Sequence, residues 1–193
     1  FDHLDATNLN RLRGGIAQLG VAKVVVAARE IAEIDPFLRV RCFEQGIHER
    51  NIAAFLCEGG NLDMVVEECD SLDIKFLVRE HARARHISVL MDSSDRGLID
   101  VERFDFEPSR PLFHGLAPNL ERHALAALTT EEKIPHMLDL LGVDNTSTRL
   151  KASMLEIDYS VTTWPQLASS VVMGGAVAAD TVRRILLGEA IAS

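Results

Sequence analysis

Apolar positions along the chain fall into alternating helical and strand-like periods. From Gln18 to Ile34, the residues Val21, Val24, Val25, Ala28, Ile31, Ala32 and Ile34 recur at three- and four-residue steps, which predicts an amphipathic helix stopped at Asp35-Pro36. Leu38, Val40 and Cys42 then alternate with Arg39, Arg41 and Phe43, the period of two expected of a strand. Ile47 to Glu58 reads as a short helix carrying Ile52, Phe55 and Leu56, closed by Gly59-Gly60. The run from Leu62 to Val66 is brief and bounded by turn and acidic residues, so it predicts a buried parallel strand. A helix from Ser71 to about Arg85 follows, with Leu72, Phe76, Leu77 and Val78 on its inner side, and then a strand from Ile87 to Met91. Strand, helix, strand, helix, strand is the βαβ order of a doubly wound, mainly parallel sheet with helices on both faces.

The pattern changes after Asp92. Asp92 to Gly97 reads as a solvated loop, and Leu98 to Phe104 as an edge or antiparallel strand. Pro108, Pro111 and Pro118 mark a stretch without long regular elements. Helical spacing returns from Thr130 to Leu141, where an intact helix requires Pro135 in its first turn. A long helix from Pro165 to Leu187 closes the chain, ended by Gly188. Gly174-Gly175 inside it costs roughly 1 kcal/mol per glycine against alanine, so the pair predicts close approach by another backbone or a ligand. The expected class is α/β with an antiparallel or irregular C-terminal half. One domain over 1–193 is expected, with a βαβ region at 1–91, an irregular region at 92–164 and the closing helix at 165–188.

Composition narrows the functions. A length of 193 residues and 47% hydrophobic content suit one soluble domain with a core. A net charge of −9 argues against a nucleic-acid partner, which needs clustered Lys and Arg. Cys42, Cys57 and Cys69 are widely spaced with no CxxC pair, so neither a disulfide framework nor a zinc site is expected, and reduced thiols in the cytoplasm are. No apolar run reaches bilayer length. The start at Phe1, in mid-pattern, is expected of a fragment.

Candidate chemistry concentrates at Asn8-Leu9-Asn10-Arg11 and at Lys23, twelve residues beyond the arginine. A guanidinium grips two oxygens at once and an ammonium adds a compact second charge, so the two suit a polyphosphate. Lys23 at a helix start is repelled by the positive end of the dipole, which favours a bound anion there. Ligands of open parallel sheets bind beyond the carboxyl ends of the strands, which sets the loop at Asp70 facing Arg11. Asp70 is also suited to cap the helix that starts at Ser71.

Asp2 through Arg11 (Asp-x-x-x-x-x-Asn-Leu-Asn-Arg), Gly20-x-x-Lys23, Ile34-Asp35-Pro36 and Asp63-x-Val65-Val66-x-x-x-Asp70 together resemble the ThiF/MoeB and ubiquitin-activating superfamily over residues 1 to about 91. The final helix with Gly174-Gly175 and Leu186-Leu187-Gly188 is similar to that family's closing helix. The resemblance implies a Rossmann-like fold and an ATP- and Mg2+-dependent adenylyltransferase that activates a carboxylate as an acyl-adenylate with release of pyrophosphate. It implies Arg11 and Lys23 at the phosphates, Asp70 holding Mg2+ with ATP, and Asn8 as a further nucleotide contact. Implied partners are ATP, a carboxylate substrate such as a ubiquitin-like sulfur-carrier protein, and a second copy in a homodimer. The downstream half is also similar to bacterial ThiF-like domains fused to a nitroreductase-like domain.

The departures from the family pattern matter as well. Leu12 stands where the family has glutamine, Ser71 where it has asparagine, and the arginine-to-lysine spacing is one residue short. No cysteine lies between Asp70 and Ser193, which excludes thioester transfer through a cysteine in that region. A catalytically degenerate module for dimerisation or docking within a larger protein is therefore the alternative to an enzyme. A dinucleotide-binding oxidoreductase is a weaker third, since no G-x-G-x-x-G is present. Cys69 reads as a buried apolar residue rather than a nucleophile.

Overall fold

The computed structural model describes residues 2–116, 120, 122–157, 159–161 and 165–191. Phe1 and Pro118, both used in the sequence reading, lie outside the described residues.

Seven α-helices and three strands are described. In order they are α1 (Lys23–Ile34), α2 (Ile52–Cys57), β1 (Met64–Val66), α3 (Leu72–Arg83), β2 (Ser88–Asp92), β3 (Ile99–Glu102), α4 (Arg122–Ala126), α5 (Thr130–Leu141), α6 (Thr148–Leu155) and α7 (Ala168–Leu186). β2 lies between the other two strands. It pairs parallel with β1, Val65 opposite Val89, and antiparallel with β3, Leu90 opposite Val101. The β1–α3–β2 unit carries the Rossmann-like α/β character, and the sheet of described strands is mixed.

α3 folds as a helix because its apolar residues recur at helical steps and its polar ones fall between. Leu77, Val78 and Ala82 of α3 pack with Ile52 and Leu56 of α2, Val65 of β1, Val89 of β2 and Phe104. Leu72 and Phe76 enter a second cluster with Phe113, Leu125 and Leu140. Each such side chain contributes about 1.5–3 kcal/mol when fully buried. The two clusters clamp α3 between the sheet and the C-terminal helices, and this fixes the loop entering α3, where Asp70 sits.

Several expectations are corrected. Residues 38–43 do not form a strand: Leu38 and Val40 stay substantially exposed, and no described strand lies alongside to take up their backbone groups. Alternation of side chains is a property of one segment, whereas a ladder needs a neighbour. Pro135 is the sixth residue of α5 and not in its first turn, so its missing N–H leaves the carbonyl of Glu131 without a helical donor. The helix nevertheless continues, started by a capping box in which the Thr129 hydroxyl accepts from the Glu132 N–H and the Glu132 carboxylate from the Thr129 N–H. α4 and α6 are additions that the apolar spacing does not predict. The loop at Asp92 to Gly97 is only partly solvated, because Asp95 is buried and its Oδ2 accepts the Ser147 N–H at 2.7 Å.

What a side chain on Gly174 would meet is another side chain and not backbone. A Cβ there would stand 1.9 Å from Asp92 Oδ2, whereas one on Gly175 would meet open space.

Candidate functional site

The N-terminal segment folds back on the residues leading into α1. The Leu4 N–H donates to the Val21 carbonyl at 2.8 Å, the Gly20 N–H to the Leu4 carbonyl and the Lys23 N–H to the Asp2 carbonyl, both at 2.9 Å. Leu4 is buried by this pairing. Lys23 becomes the first residue of α1, and its Nζ meets Asp2 Oδ2 at 2.8 Å.

The intervening turn is closed by reciprocal bonds. Asp5 accepts from the Thr7 N–H at 2.8 Å, and Asn8 Oδ1 accepts from the Asp5 N–H at 3.0 Å. The Asn8 carbonyl then receives the N–H groups of Arg11 and Leu12. Arg11 Nη1 donates to the Thr7 carbonyl and to Asn10 Oδ1, both at 2.9 Å, which orients the guanidinium along the loop.

Arg11, Leu12 and Lys23 line one side of a cavity of about 1130 Å3. Glu67, Glu68, Cys69 and Asp70, at and beyond the carboxyl end of β1, line another, with Asp92 from the end of β2 and Gly175, Ala178 and Ala179 from α7. Three of the four residues expected from the sequence therefore meet in one cavity. Asn8 does not line it: it is buried behind the wall, with its side chain bonded to the turn.

Asp70 is exposed at the cavity, and among the described residues its carboxylate has no hydrogen-bond or ion-pair partner. It does not cap α3. Ser71 holds that position, with its hydroxyl donating to Asp73 Oδ1 at 2.6 Å.

Beneath this wall lies a set of buried charges that the sequence reading missed. Glu67 accepts from Lys75 Nζ at 3.1 Å on each oxygen and from Arg79 Nη1 at 2.8 Å. Arg79 Nε donates to Glu102 Oε2 at 2.5 Å, and Glu102 Oε1 accepts the Phe113 N–H at 2.6 Å. The Arg79 guanidinium also lies 4.1 Å from the centre of the Phe113 ring. Burial acts to raise the Glu67 pKa, but the charges of Lys75 and Arg79 outweigh it and hold the carboxyl below its usual range. The available signal was a pair of cations, Lys75 and Arg79, four apart on the otherwise apolar inner side of α3.

Two neighbours on the wall shift the other way. Removal from water raises Glu68 to about 7, aided by the Asp92 charge and opposed by the Asp92 N–H, which donates to Glu68 Oε1 at 3.0 Å. Burial and then the Glu67 charge push the Cys69 thiol up to about 12. That thiol is a poor nucleophile at neutral pH.

A family profile described as ThiF matches residues 1–192. The chain belongs to the ThiF family. It is an adenylyltransferase-like, nucleotide-binding domain of the ubiquitin-activating superfamily. A relative from Mycobacterium tuberculosis (strain CDC 1551 / Oshkosh), named Uncharacterized protein MT1398, is 47% identical over 193 residues. The match covers 100% of this chain and 27% of the relative, whose ThiF domain is thus one portion of a larger protein.

ThiF adenylyltransferases use ATP and Mg2+. The cavity's donor set fits them: Mg2+ takes one or two carboxylates and fills its remaining positions with water and phosphate oxygens, and Asp70 offers such a carboxylate. Arg11 and Lys23 place two cationic side chains at the same cavity, a donor set suited to phosphate oxygens. Among the described residues no group of three or more His, Cys, Asp or Glu side chains could hold a metal ion. Among the same residues, no helix is long and apolar enough to cross a membrane.

Proposed function

We propose that this ThiF domain, within its full-length protein, binds ATP and Mg2+ in the cavity between Arg11, Lys23 and Asp70 and adenylates a carboxylate. One oxygen of the substrate carboxylate attacks the α-phosphorus, the bond to the β-phosphate breaks, and acyl-adenylate and pyrophosphate result. The observation that carries this reading is the convergence of Arg11, Lys23 and Asp70 on one cavity from elements far apart in the chain. Arg11 and Lys23 stabilise charge that grows on the α-phosphate and the leaving pyrophosphate, and Asp70 orients the metal. Mg2+, when bound, neutralises phosphate charge and aligns the leaving group. Asn8 shapes the loop that presents Arg11.

The acceptor is a small-molecule carboxylate or the C-terminus of a ubiquitin-like sulfur-carrier protein, and adenylation proceeds without thioester transfer through a cysteine between Asp70 and Ser193. Residues 1–91 serve the nucleotide, 92–164 the substrate side, and 165–188 close the domain. A cytoplasmic homodimer is the arrangement that the family resemblance supports.

The Lys23–Asp2 ion pair favours the second reading, a catalytically degenerate docking or dimerisation module, because it engages one of the two cations. ATP–pyrophosphate exchange by the full-length protein, with Lys23→Ala and Asp70→Ala beside it, decides between the two. Exchange that both substitutions abolish supports the enzyme. Absence of exchange across a range of carboxylates selects the docking module, and exchange indifferent to both substitutions overturns the site.

A further inference from the structure

We infer that Glu67 is a positioning residue, which sets Asp70 for the metal by pinning the intervening backbone at Cys69. This rests on the proposed function for the role of Asp70, and on geometry alone for the pinning. The Glu67 side chain turns back along its own chain, so that Oε1 accepts the Cys69 N–H at 2.8 Å and the Cys69 thiol at 2.8 Å. The same carboxylate is gripped from below by Lys75 and Arg79 of α3, and Arg79 is in turn fixed by Glu102 of β3. Glu67, Lys75, Arg79 and Glu102 are all buried, and the charges are balanced two against two.

An ordinary turn after a strand needs no such anchor. Asp70 itself is exposed and makes no bond among the described residues, so nothing in its own side chain holds it in place. Its position is inherited from the backbone that Glu67 holds one residue upstream. Residues behind a metal ligand that fix its orientation in this way typically affect metal affinity by about 10–100-fold.

The test uses the full-length protein with Cys42 and Cys57 replaced by serine, so that Cys69 reports alone within this domain. Glu67→Leu combined with Lys75→Met removes the acceptor together with the cation it would strand, whereas Glu67→Gln in the same Lys75→Met background keeps an oxygen for the Cys69 N–H. Three quantities are read: hydrogen exchange of the peptide spanning 67–71, the alkylation rate of Cys69 by iodoacetamide, and the ratio of ATP affinity with Mg2+ to that with EDTA. In the Leu/Met variant we expect loss of amide protection, alkylation faster by about tenfold or more, and a fall of about tenfold in the Mg2+ ratio, towards that of Asp70→Ala. Glu67→Gln should restore most of each. A folded Leu/Met variant with an unchanged ratio and a slow thiol overturns the inference, and so does equal loss in the Gln variant. If the parent protein binds no ATP, the proposed function falls, while exchange and alkylation still decide whether Glu67 holds the loop.

Discussion

Asp92 occupies the space that a side chain on Gly174 would need, its Oδ2 lying 1.9 Å from where that Cβ would stand. The two residues join the end of β2 to the middle of α7 and so close one side of the cavity. Gly175, the next residue, lines the cavity and has no neighbour within reach of a Cβ. Adjacent glycines in one helix should therefore respond oppositely to alanine. Gly174→Ala should destabilise by about 1–3 kcal/mol through overpacking, less the helix-propensity gain. Gly175→Ala should stabilise by about 0.5–1 kcal/mol. Urea denaturation of both variants checks this, and equal midpoints would contradict the packing of α7 on Asp92.

Glu68 predicts a pH dependence. Its pKa in the fold is about 7 against an ordinary 4.5, so the folded protein holds this proton more tightly than the unfolded chain. Stability contributed by the protonated group is complete below about 4.5 and is lost as pH rises towards 7. Glu68→Gln should remove this component. The variant should gain stability over the parent at pH 8 and show no such gain at pH 4, measured by denaturant midpoints.

Arg79 bridges Glu67 and Glu102 while fully buried, so truncating it leaves Glu102 without its cation and Glu67 with Lys75 alone. Arg79→Met should cost about 3–5 kcal/mol, the range for breaking one partner out of a buried pair. Arg183→Met, removing an exposed ion pair with Asp180, should cost about 1 kcal/mol or less. Parallel urea titrations test the contrast, and similar losses would contradict the burial of the α3 network.

On the proposed reading of the site, Asp2 is a competitor of phosphate for Lys23. Its carboxylate sits 2.8 Å from Nζ at a partly exposed position, where such pairs contribute about 0.2–1 kcal/mol. Asp2→Asn should strengthen MgATP binding by up to about fivefold. Lys23→Ala should weaken it. Calorimetric titration of both variants measures the effect, and an affinity unmoved by either would remove Lys23 from the site.

Local periodicity carried much of the fold. The runs that became α1, α3, α5 and α7 were legible because helical spacing of apolar residues is written within one segment, as were Val65 and Val66 in β1 and the antiparallel β3. Arg11, Lys23 and Asp70 were legible as a group because their order resembles a family pattern, with the arginine-to-lysine spacing one residue short, and the fold brings all three to one cavity. The strand expected at 38–43 failed because pairing depends on a neighbour that local alternation cannot reveal. α6 went unnoticed although Ser147, whose hydroxyl accepts the Leu150 N–H at 3.1 Å, is a recognisable helix start.

By itself the sequence determined the α/β class and most of the main helices and strands through short-range spacing, while its resemblance to a family pattern supplied the family and three cavity residues. Only the tertiary structure decided that Asn8 is spent on the loop, that Asp92 needs Gly174, and that Lys75 and Arg79 turn inward to Glu67 and Glu102. Charges on an apolar helix face read as exceptions until their partners are known, and those partners lie 8 to 23 residues away, on other elements. Burial makes such charges costly alone and tolerable together, and that is a property of the packed molecule rather than of any segment in it.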